Sequence, residues 1–224
     1  MRTTSRRWLV PAALALVGAT SVALAQPAAA APPAYTFAAN ATPFAVTLPV
    51  VGTTSVGGSS WGPTTATGSN VVSPFSAPAI PIVGTPGTVS STSEGTDDGV
   101  TRTARAVTGV SGTNLLAGLV QATDVGSTSS ASTDSTGAIT TSTSTTLTGV
   151  VVAGVPISPT VPANSSFTFS VSTLLGTISG TAYLNEQSST ATSASATAVR
   201  VVATVPVLGS TTVVLGDTSA SLTP

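Results

Sequence analysis

Apolar and polar residues alternate in short runs along most of this 224-residue chain, which is the period-two pattern of strands with one covered face. The runs are rich in β-branched Val and Thr, and Gly and Pro separate them. The predicted strands span residues 35–37, 44–48, 100–110, 115–127, 138–153, 166–171, 177–187, 198–207 and 211–215. This pattern predicts an all-β fold, an antiparallel β-sandwich or barrel-like domain after an N-terminal signal helix.

Residues 31–99 form an N-terminal part that is rich in Pro, Gly, Ser and Thr. Here we expect only short strands, with a loop over residues 52–70 and an extended segment over residues 71–87 at a sheet edge or on the surface. Residues 100–224 hold the main antiparallel part. We expect both parts to form one domain, since the length of the chain fits a single domain.

One apolar-Pro-apolar-apolar-Gly-hydroxyl pattern occurs three times, as LPVVGT at 48–53, IPIVGT at 80–85 and VPVLGS at 205–210. Proline is tolerated where no ladder hydrogen bond is needed, and the glycine favours a turn, so each copy predicts a strand end followed by a turn. The alternative is a repeated unit of a β-solenoid, which requires a fixed period that the unequal spacing does not show. Other turns are predicted at residues 111–114, 134–137 and 154–156.

Residues 1–30 have the three parts of a secretory signal peptide. Three arginines lie in residues 1–7, an apolar run covers residues 8–25, and small residues offer cleavage points after Ala25 or near Ala30. The alternative is an uncleaved membrane anchor, but Ala-x-Ala motifs favour cleavage. We therefore expect a secreted, extracellular protein that is either released or associated with the cell wall. No second apolar run is long enough to span a bilayer, so we expect no membrane contact after leader removal.

Charged residues make up only 6% of the chain, and histidine, lysine and cysteine are absent. Three arginines and seven acidic residues remain after the leader. Without a basic stripe to contact phosphates, the chain is not expected to bind nucleic acid. Without disulfides, an exported fold must depend on apolar burial.

Two patterns resemble catalytic sites, but neither has the partners that catalysis needs. Residues 58–62, GSSWG, match the G-x-S-x-G pattern of a hydrolase nucleophile. Such a serine needs a base, usually histidine, and a strand-turn-helix setting, so a loop is the better interpretation. Glu94 and Glu186 are the only glutamates, and a glycosidase would need them to face each other. We expect structural roles instead, with Glu186 bonded to backbone or to an arginine and Glu94 in a polar turn, and we predict no catalytic residues.

Two groups of residues are candidate ligand sites. Glu94, Asp97 and Asp98 lie beside glycines, and oxygen-rich loops of this kind can hold calcium. An acidic turn exposed to solvent is the alternative, and we predict no other cofactor. Trp61 and Tyr183 are candidate platforms for a carbohydrate, because sugar sites need exposed aromatic rings.

The arginines and the hydroxyl residues of the main part also suggest roles. Arg102 and Arg105 fall on opposite faces of one strand, so at least one should pair with an acid, and Asp124 on the next strand is a candidate. Residues 140–146, TTSTSTT, form a run of hydroxyls that could meet a sugar or ice, although a solvated strand face is the alternative.

A series of short motifs resembles the choice-of-anchor P family of actinobacterial secreted proteins. These motifs are SEGT at 93–96, LLAGLV at 115–120 with Ala122 and Val125, GVP at 154–156, PANS at 162–165, YLNEQ at 183–187, AVRV at 198–201 and GD at 216–217. The resemblance spans residues 35–222 and implies an exported surface or released protein without a known activity. The chain departs from the family by lacking a terminal anchor and the cysteines of some members, which favours release.

We therefore predict a secreted, non-enzymatic structural or interaction protein of the bacterial envelope or exterior. This prediction rests on the leader, on the strand pattern and on the lack of a nucleophile paired with a base. Its partner would belong to the cell wall or the extracellular space. The alternative is a module that binds a carbohydrate or an apolar ligand.

Overall fold

The computed structural model describes residues 34–173, 176–206 and 208–224, and the predicted leader lies outside them. Within these ranges the chain forms fifteen strands and no helix. The strands are β1 Thr36–Leu48, β2 Gly52–Val56, β3 Ser59–Thr64, β4 Gly68–Ser76, β5 Gly84–Thr85, β6 Thr88–Asp97, β7 Arg102–Leu115, β8 Val120–Thr133, β9 Ile139–Thr148, β10 Val151–Val152, β11 Val155–Pro156, β12 Ser165–Thr173, β13 Gly176–Ser189, β14 Ser193–Val205 and β15 Gly209–Thr223. In this part of the chain we find no helix of the length and hydropathy needed to cross a membrane.

The strands form two antiparallel sheets that pack face to face. Sheet A has the order β12-β13-β14-β15-β1-β2, with β3 also paired to β1. Sheet B has the order β11-β10-β8-β7-β6-β4, with β5 paired to β7 and β9 to β8. The inward faces of β1, β14 and β15 contact β6, β7, β8 and β9 across the core. The predicted antiparallel sandwich is therefore confirmed, and the arrangement is neither a closed barrel nor a solenoid.

The N-terminal part is more regular than the sequence predicts. The strands expected at 35–37 and 44–48 form one strand, β1, which continues through Pro43. The loop predicted over residues 52–70 is wrong, because this segment forms β2, β3 and the start of β4. β2 is almost entirely exposed, so its sequence lacks the alternation that marks a half-buried strand. The extended edge segment is confirmed in β4, which pairs only with β6 among the described strands.

The three Pro-Gly patterns are turns, as predicted. Leu48 pairs with Gly52 and Val205 with Gly209, so two copies close the β1–β2 and β14–β15 hairpins. The third copy has the same spacing in the bridge between Ile80 and Gly84.

The turn predicted at residues 111–114 is wrong, because β7 continues to Leu115 and the hairpin turns after it. Leu116 and Ala117 adopt φ values of 52° and 56° in that turn. Gly112, with φ of 71°, lies inside the strand opposite Thr123. It interrupts the alternation of β7 rather than ending the strand. The turn predicted at 134–137 is confirmed by a hydrogen bond from the Gly137 N–H to the Asp134 carbonyl.

A transverse line divides each sheet into two halves. On sheet A the line passes through Pro43, Gly216, Ala198 and Asn185, which lie side by side in the register of the four strands. The alternation of buried positions shifts by one residue there, which we call a change of parity. In β15 the odd-numbered residues 211, 213 and 215 are buried before the line, and the even-numbered residues 216, 218, 220 and 222 are buried after it. Gly112 and Thr123 mark the corresponding line on sheet B, where outward residues 123 and 124 are adjacent.

On sheet A the two sides of this line have different cores, whereas on sheet B the apolar cluster extends one row past the line, to Val89, Val110, Val125 and Leu147. The apolar half holds one large cluster, which includes Phe44, Leu215 and Leu115. The small-residue half holds Phe37 and Leu222 among alanines. Its inward positions also include buried hydroxyl residues, namely Ser59, Ser91, Ser93, Thr108, Ser127, Ser129 and Thr218. Within the described residues, no buried side-chain nitrogen or oxygen lacks a hydrogen-bond partner.

Candidate functional site

Arg102 and Arg105 pair with β6 rather than with the predicted Asp124. Arg102 lies opposite Asp97 in the β6–β7 register, and its Nε is 3.0 Å from the Asp97 Oδ2. Arg105 lies opposite Glu94, with 3.4 Å between its Nη1 and the Glu94 Oε1. Both pairs are partly exposed, so solvent screening limits what each contributes to stability. The Arg105–Glu94 pair lies on the outward face of sheet B, whereas Arg102 shares the inward face with Ala104 and lies 5.0 Å from the centre of the Tyr35 ring.

Arg200 is held by three contacts on the outward face of sheet A. Its Nε and Nη2 donate to the two carboxylate oxygens of Glu186 at 2.8 and 2.6 Å. Its guanidinium carbon lies 3.9 Å from the centre of the Tyr183 ring, within cation–π range. The hydrogen bonds to Glu186 raise the pKa of Arg200 above its usual value. The prediction that Glu186 bonds to an arginine is confirmed, and the guanidinium covers one face of the Tyr183 ring.

The two glutamates do not form a catalytic pair. Glu94 lies within strand β6 of sheet B, not in the turn that the sequence suggests, while Glu186 lies in β13 of sheet A. Each carboxylate has its own arginine. A glycosidase needs two carboxyls flanking one bond, and this arrangement does not provide them.

The acidic segment 94–98 covers the end of β6 and the start of the turn that follows it, and its side chains bond to protein groups. Asp98 accepts hydrogen bonds from the N–H groups of Val100 and Thr101 at 2.9 and 2.6 Å, and from the Thr101 hydroxyl at 2.8 Å. These bonds lower the pKa of Asp98 to about 2. Asp97 is bonded to Arg102. In the part of the chain that the structure describes, no three acidic side chains gather as metal ligands do, and Glu94, Asp97 and Asp98 each bond to a protein group instead.

The G-x-S-x-G segment forms strand β3 rather than a loop. Ser59 is buried, and its hydroxyl lies 3.1 Å from the Ser93 hydroxyl. Ser60, the position of a nucleophile in this pattern, is exposed. A nucleophile elbow requires a strand-to-helix turn, and the strand here continues through Trp61. The segment joins the two sheets, because β3 also contacts β6.

Trp61 fills a slot between the sheets at their open edge. A Cβ on Gly68 would lie 2.3 Å from the indole ring, and one on Gly95 would lie 2.9 Å from its Nε1, so only glycine leaves room for the ring at both positions. The indole N–H donates to the carbonyl of Ala66 at 3.3 Å. Trp61 faces inward from β3, whereas Tyr183 faces outward from β13, and β1, β15 and β14 lie between these two strands in sheet A. The two rings therefore form no joint platform.

Polar residues line the outward face of strands β7, β8 and β9, which we call the hydroxyl face. Rows of residues cross it in register, and one row runs from Arg105 through Ser130 to Ser142. Neighbouring hydroxyls bond across the strands, with 2.8 Å between the Oγ atoms of Ser130 and Ser142. The alternate residues of β9 point inward, where the Thr145 hydroxyl donates to Asn185 at 2.7 Å. The solvated strand face predicted for residues 140–146 is therefore only one side of β9.

A shallow cavity of about 190 Å³ lies in the middle of the hydroxyl face. Gly109 and Gly126 are directly opposite each other, and their missing side chains leave the depression. Thr128, Ser144 and Asp124 line its walls. Sequence reasoning missed this site, although two glycines at matching positions of neighbouring strands were its signal.

Comparisons with known proteins found no match to this chain. No family model matches it, and no curated protein or solved structure matches it significantly.

Proposed function

We propose that this chain is a secreted, non-enzymatic interaction protein of the bacterial envelope or exterior, and that the hydroxyl face is its contact surface. The observation that carries the proposal is the set of hydroxyl rows in register around the cavity at Gly109 and Gly126. Rows of exposed hydroxyls of this kind suit an extended polar polymer, such as a cell-wall polysaccharide. The resemblance to choice-of-anchor P proteins supports the same location.

The acidic side chains support a non-enzymatic role. Six of the seven acidic residues hold structural bonds, either to an arginine or within a turn or strand pair: Glu94, Asp97, Asp98, Asp134, Glu186 and Asp217. A general acid or base must instead reach the substrate proton. These six acidic side chains therefore stabilise the sandwich, and hydroxyl groups are the main polar groups that remain for contact with a partner.

Binding through the hydroxyl face would be weak at each contact. A neutral hydrogen bond contributes on the order of 1 kcal/mol, because it replaces one to water. A polymer that contacts several rows at once adds these small contributions together. We therefore expect binding to long polysaccharides and little binding to single sugars.

The test is sedimentation of the purified chain with insoluble cell-wall polysaccharide. Replacing three exposed hydroxyls of β9 (Ser142→Ala, Ser144→Ala, Thr146→Val) should reduce the bound fraction severalfold. The matched control changes three exposed hydroxyls at the same spacing on the edge strand β12 of sheet A: Ser166→Ala, Thr168→Val and Ser170→Ala. Equal binding by both variants, or turnover of a hydrolase substrate by the wild-type chain, would overturn the proposal.

A further inference from the structure

We propose that one end of the sandwich inserts into the hydrocarbon layer of a lipid bilayer. We call this end the apolar tip and define it as residues 49–51, 81–83, 116–119 and 153–155 with Pro206 and Leu208. These residues belong to the turns that follow β1, β7, β10 and β14 and to the turn that precedes β5. The tip is a different surface from the hydroxyl face, so this inference does not depend on the proposed function.

Neighbouring turns of sheet B touch one another at the tip. The N–H of Leu116 donates to the carbonyl of Val83 at 2.6 Å. The N–H of Ala153 donates to the carbonyl of Leu119 at 2.7 Å. Three turns that are distant in sequence thereby form one continuous edge.

The turns of sheet A complete the same end. Pro49 and the β14–β15 turn are in contact, since a Cβ on Gly209 would lie 3.2 Å from the Pro49 ring. The two sheets meet around a cavity of about 180 Å³, whose walls come from the 116–119 turn, Val171 and Ile178. The tip is therefore a single surface built by both sheets.

Large apolar side chains project from this surface into solvent. Val50 is 95% exposed, Val51 70%, Ile82 70% and Val155 47%. No Asp, Glu or Arg occurs in any of the turns that form the tip. Exposed apolar surface without charges marks a contact with protein or lipid.

Several backbone N–H groups of the tip are hydrogen-bonded within its own turns. An unsatisfied N–H or C=O group in hydrocarbon costs several kcal/mol. The N–H groups of Val83 and Gly84 both donate to the carbonyl of Ile80, and that of Leu208 donates to Val205. Proline at the second position of each repeated pattern removes one further N–H group. The three prolines are Pro49, Pro81 and Pro206.

The shape of the tip favours a bilayer over a protein partner. Separate turns from two sheets present the valines and Ile82, whereas protein partners dock on a groove, a strand edge or a flat patch. Hydroxyls just below the tip can meet lipid headgroups, and the Thr47 and Thr53 hydroxyls lie 2.7 Å apart there. Because the tip has no charge, zwitterionic lipid should suffice. The expectation of no membrane contact considered only continuous apolar runs, which these turns do not form.

The experiment mixes the purified chain with phosphatidylcholine vesicles. The chain has no cysteine, so Val50→Cys can carry a single environment-sensitive dye. Val100→Cys, in the acidic turn and 58% exposed, is the matched control. Vesicles should shift the emission of the dye at residue 50 to the blue and leave that at residue 100 unchanged.

Charged substitutions test the contribution of the tip to affinity. The triple variant Val50→Asp, Val51→Asp, Ile82→Asp should bind vesicles at least about tenfold more weakly, since an aspartate in hydrocarbon is costly. The control variant Val71→Asp, Val100→Asp changes valines that are exposed elsewhere and should bind as the wild type does. All variants carry the same N-terminus, so residues 1–33 contribute equally.

Three results would overturn the proposal. The first is that the triple variant binds vesicles as strongly as the wild type does. Another is binding that needs anionic lipid and disappears in high salt, because screening does not weaken apolar insertion. The third is a dimer of the wild-type chain that the triple variant abolishes without any vesicle binding, which would make a second copy the occupant of the tip.

Discussion

The two halves of the sandwich share their strands but are stabilised in different ways. β15 passes through both, with Leu215 in the apolar half and Leu222 in the small-residue half, and both side chains are fully buried. The apolar half ends in uncharged turns such as residues 49–51, and the small-residue half ends in turns closed by Asp98 and Asp134. The halves show that one sheet can change its core chemistry along its length once the alternation of inward residues changes parity.

Hydrogen bonds between hydroxyls replace apolar contacts in the small-residue half. Ser129 and Thr218 face each other from opposite sheets with 2.8 Å between their hydroxyl oxygens. Burial of a Val or Leu side chain contributes about 1.5–3 kcal/mol, whereas a neutral hydrogen bond contributes about 0.5–1.5 kcal/mol. We therefore expect the apolar half to supply most of the free energy of unfolding.

Truncating the two buried leucines of β15 should give the largest difference between the halves. We expect Leu215→Ala to lower the free energy of unfolding by about 4 kcal/mol, because its large cluster would keep a cavity. Leu222→Ala should cost about 2 kcal/mol, because the short end of the strand can relax around the lost volume. Urea denaturation of both variants measures this difference. Equal losses would show that the two halves are equally important for stability.

Removing a buried hydroxyl should have a smaller effect that depends on its partner. Ser129→Ala should lower the free energy of unfolding by about 1–2 kcal/mol, because Thr218 loses its partner across the core. Changing both residues, with Thr218→Val, should cost less than the sum of the single losses, since no hydroxyl is then left without its partner. A double-mutant cycle by denaturation measures the coupling. Additive losses would mean that the hydroxyls act independently.

The sequence predicted strands well where large residues mark the inward face. In β13, Ile178, Ala182 and Leu184 face inward and Tyr183 outward, as the alternation predicts. The same reasoning failed for β2, which is almost entirely exposed, and for β3, where Trp61 is the only large residue and so shows no alternation. It also interpreted Gly112 as a turn, because a change of parity inside a strand depends on the neighbouring strands of the sheet and not on local sequence.

The candidate sites depended on register, which the sequence did not reveal. Arg105 pairs with Glu94 because β6 and β7 place them opposite each other, and no local pattern favours Glu94 over Asp124. The cavity on the hydroxyl face and the apolar tip likewise need the sheet order. The tip gathers turns from residues 49 to 208, and their convergence follows from antiparallel pairing within each sheet and from the packing of the two sheets.

Lowering the pH should destabilise the turns at the small-residue end and leave the apolar end unchanged. This is the smallest of the expected effects. The pKa of Asp98 is about 2 in the folded chain, below the ordinary value of 3.8, so its stabilising contribution is present above pH 3.8 and is lost as the pH falls through about 2. Asp134 has a pKa shifted in the same direction by its bonds to Thr136. The difference in free energy of unfolding between the wild type and Asp98→Ala should therefore be constant above pH 4 and shrink towards pH 2. Hydrogen exchange should show faster opening at Val100 and Thr101 over the same range, while the uncharged tip stays unchanged. A difference that does not vary with pH would show that the Asp98 carboxylate does not stabilise this turn.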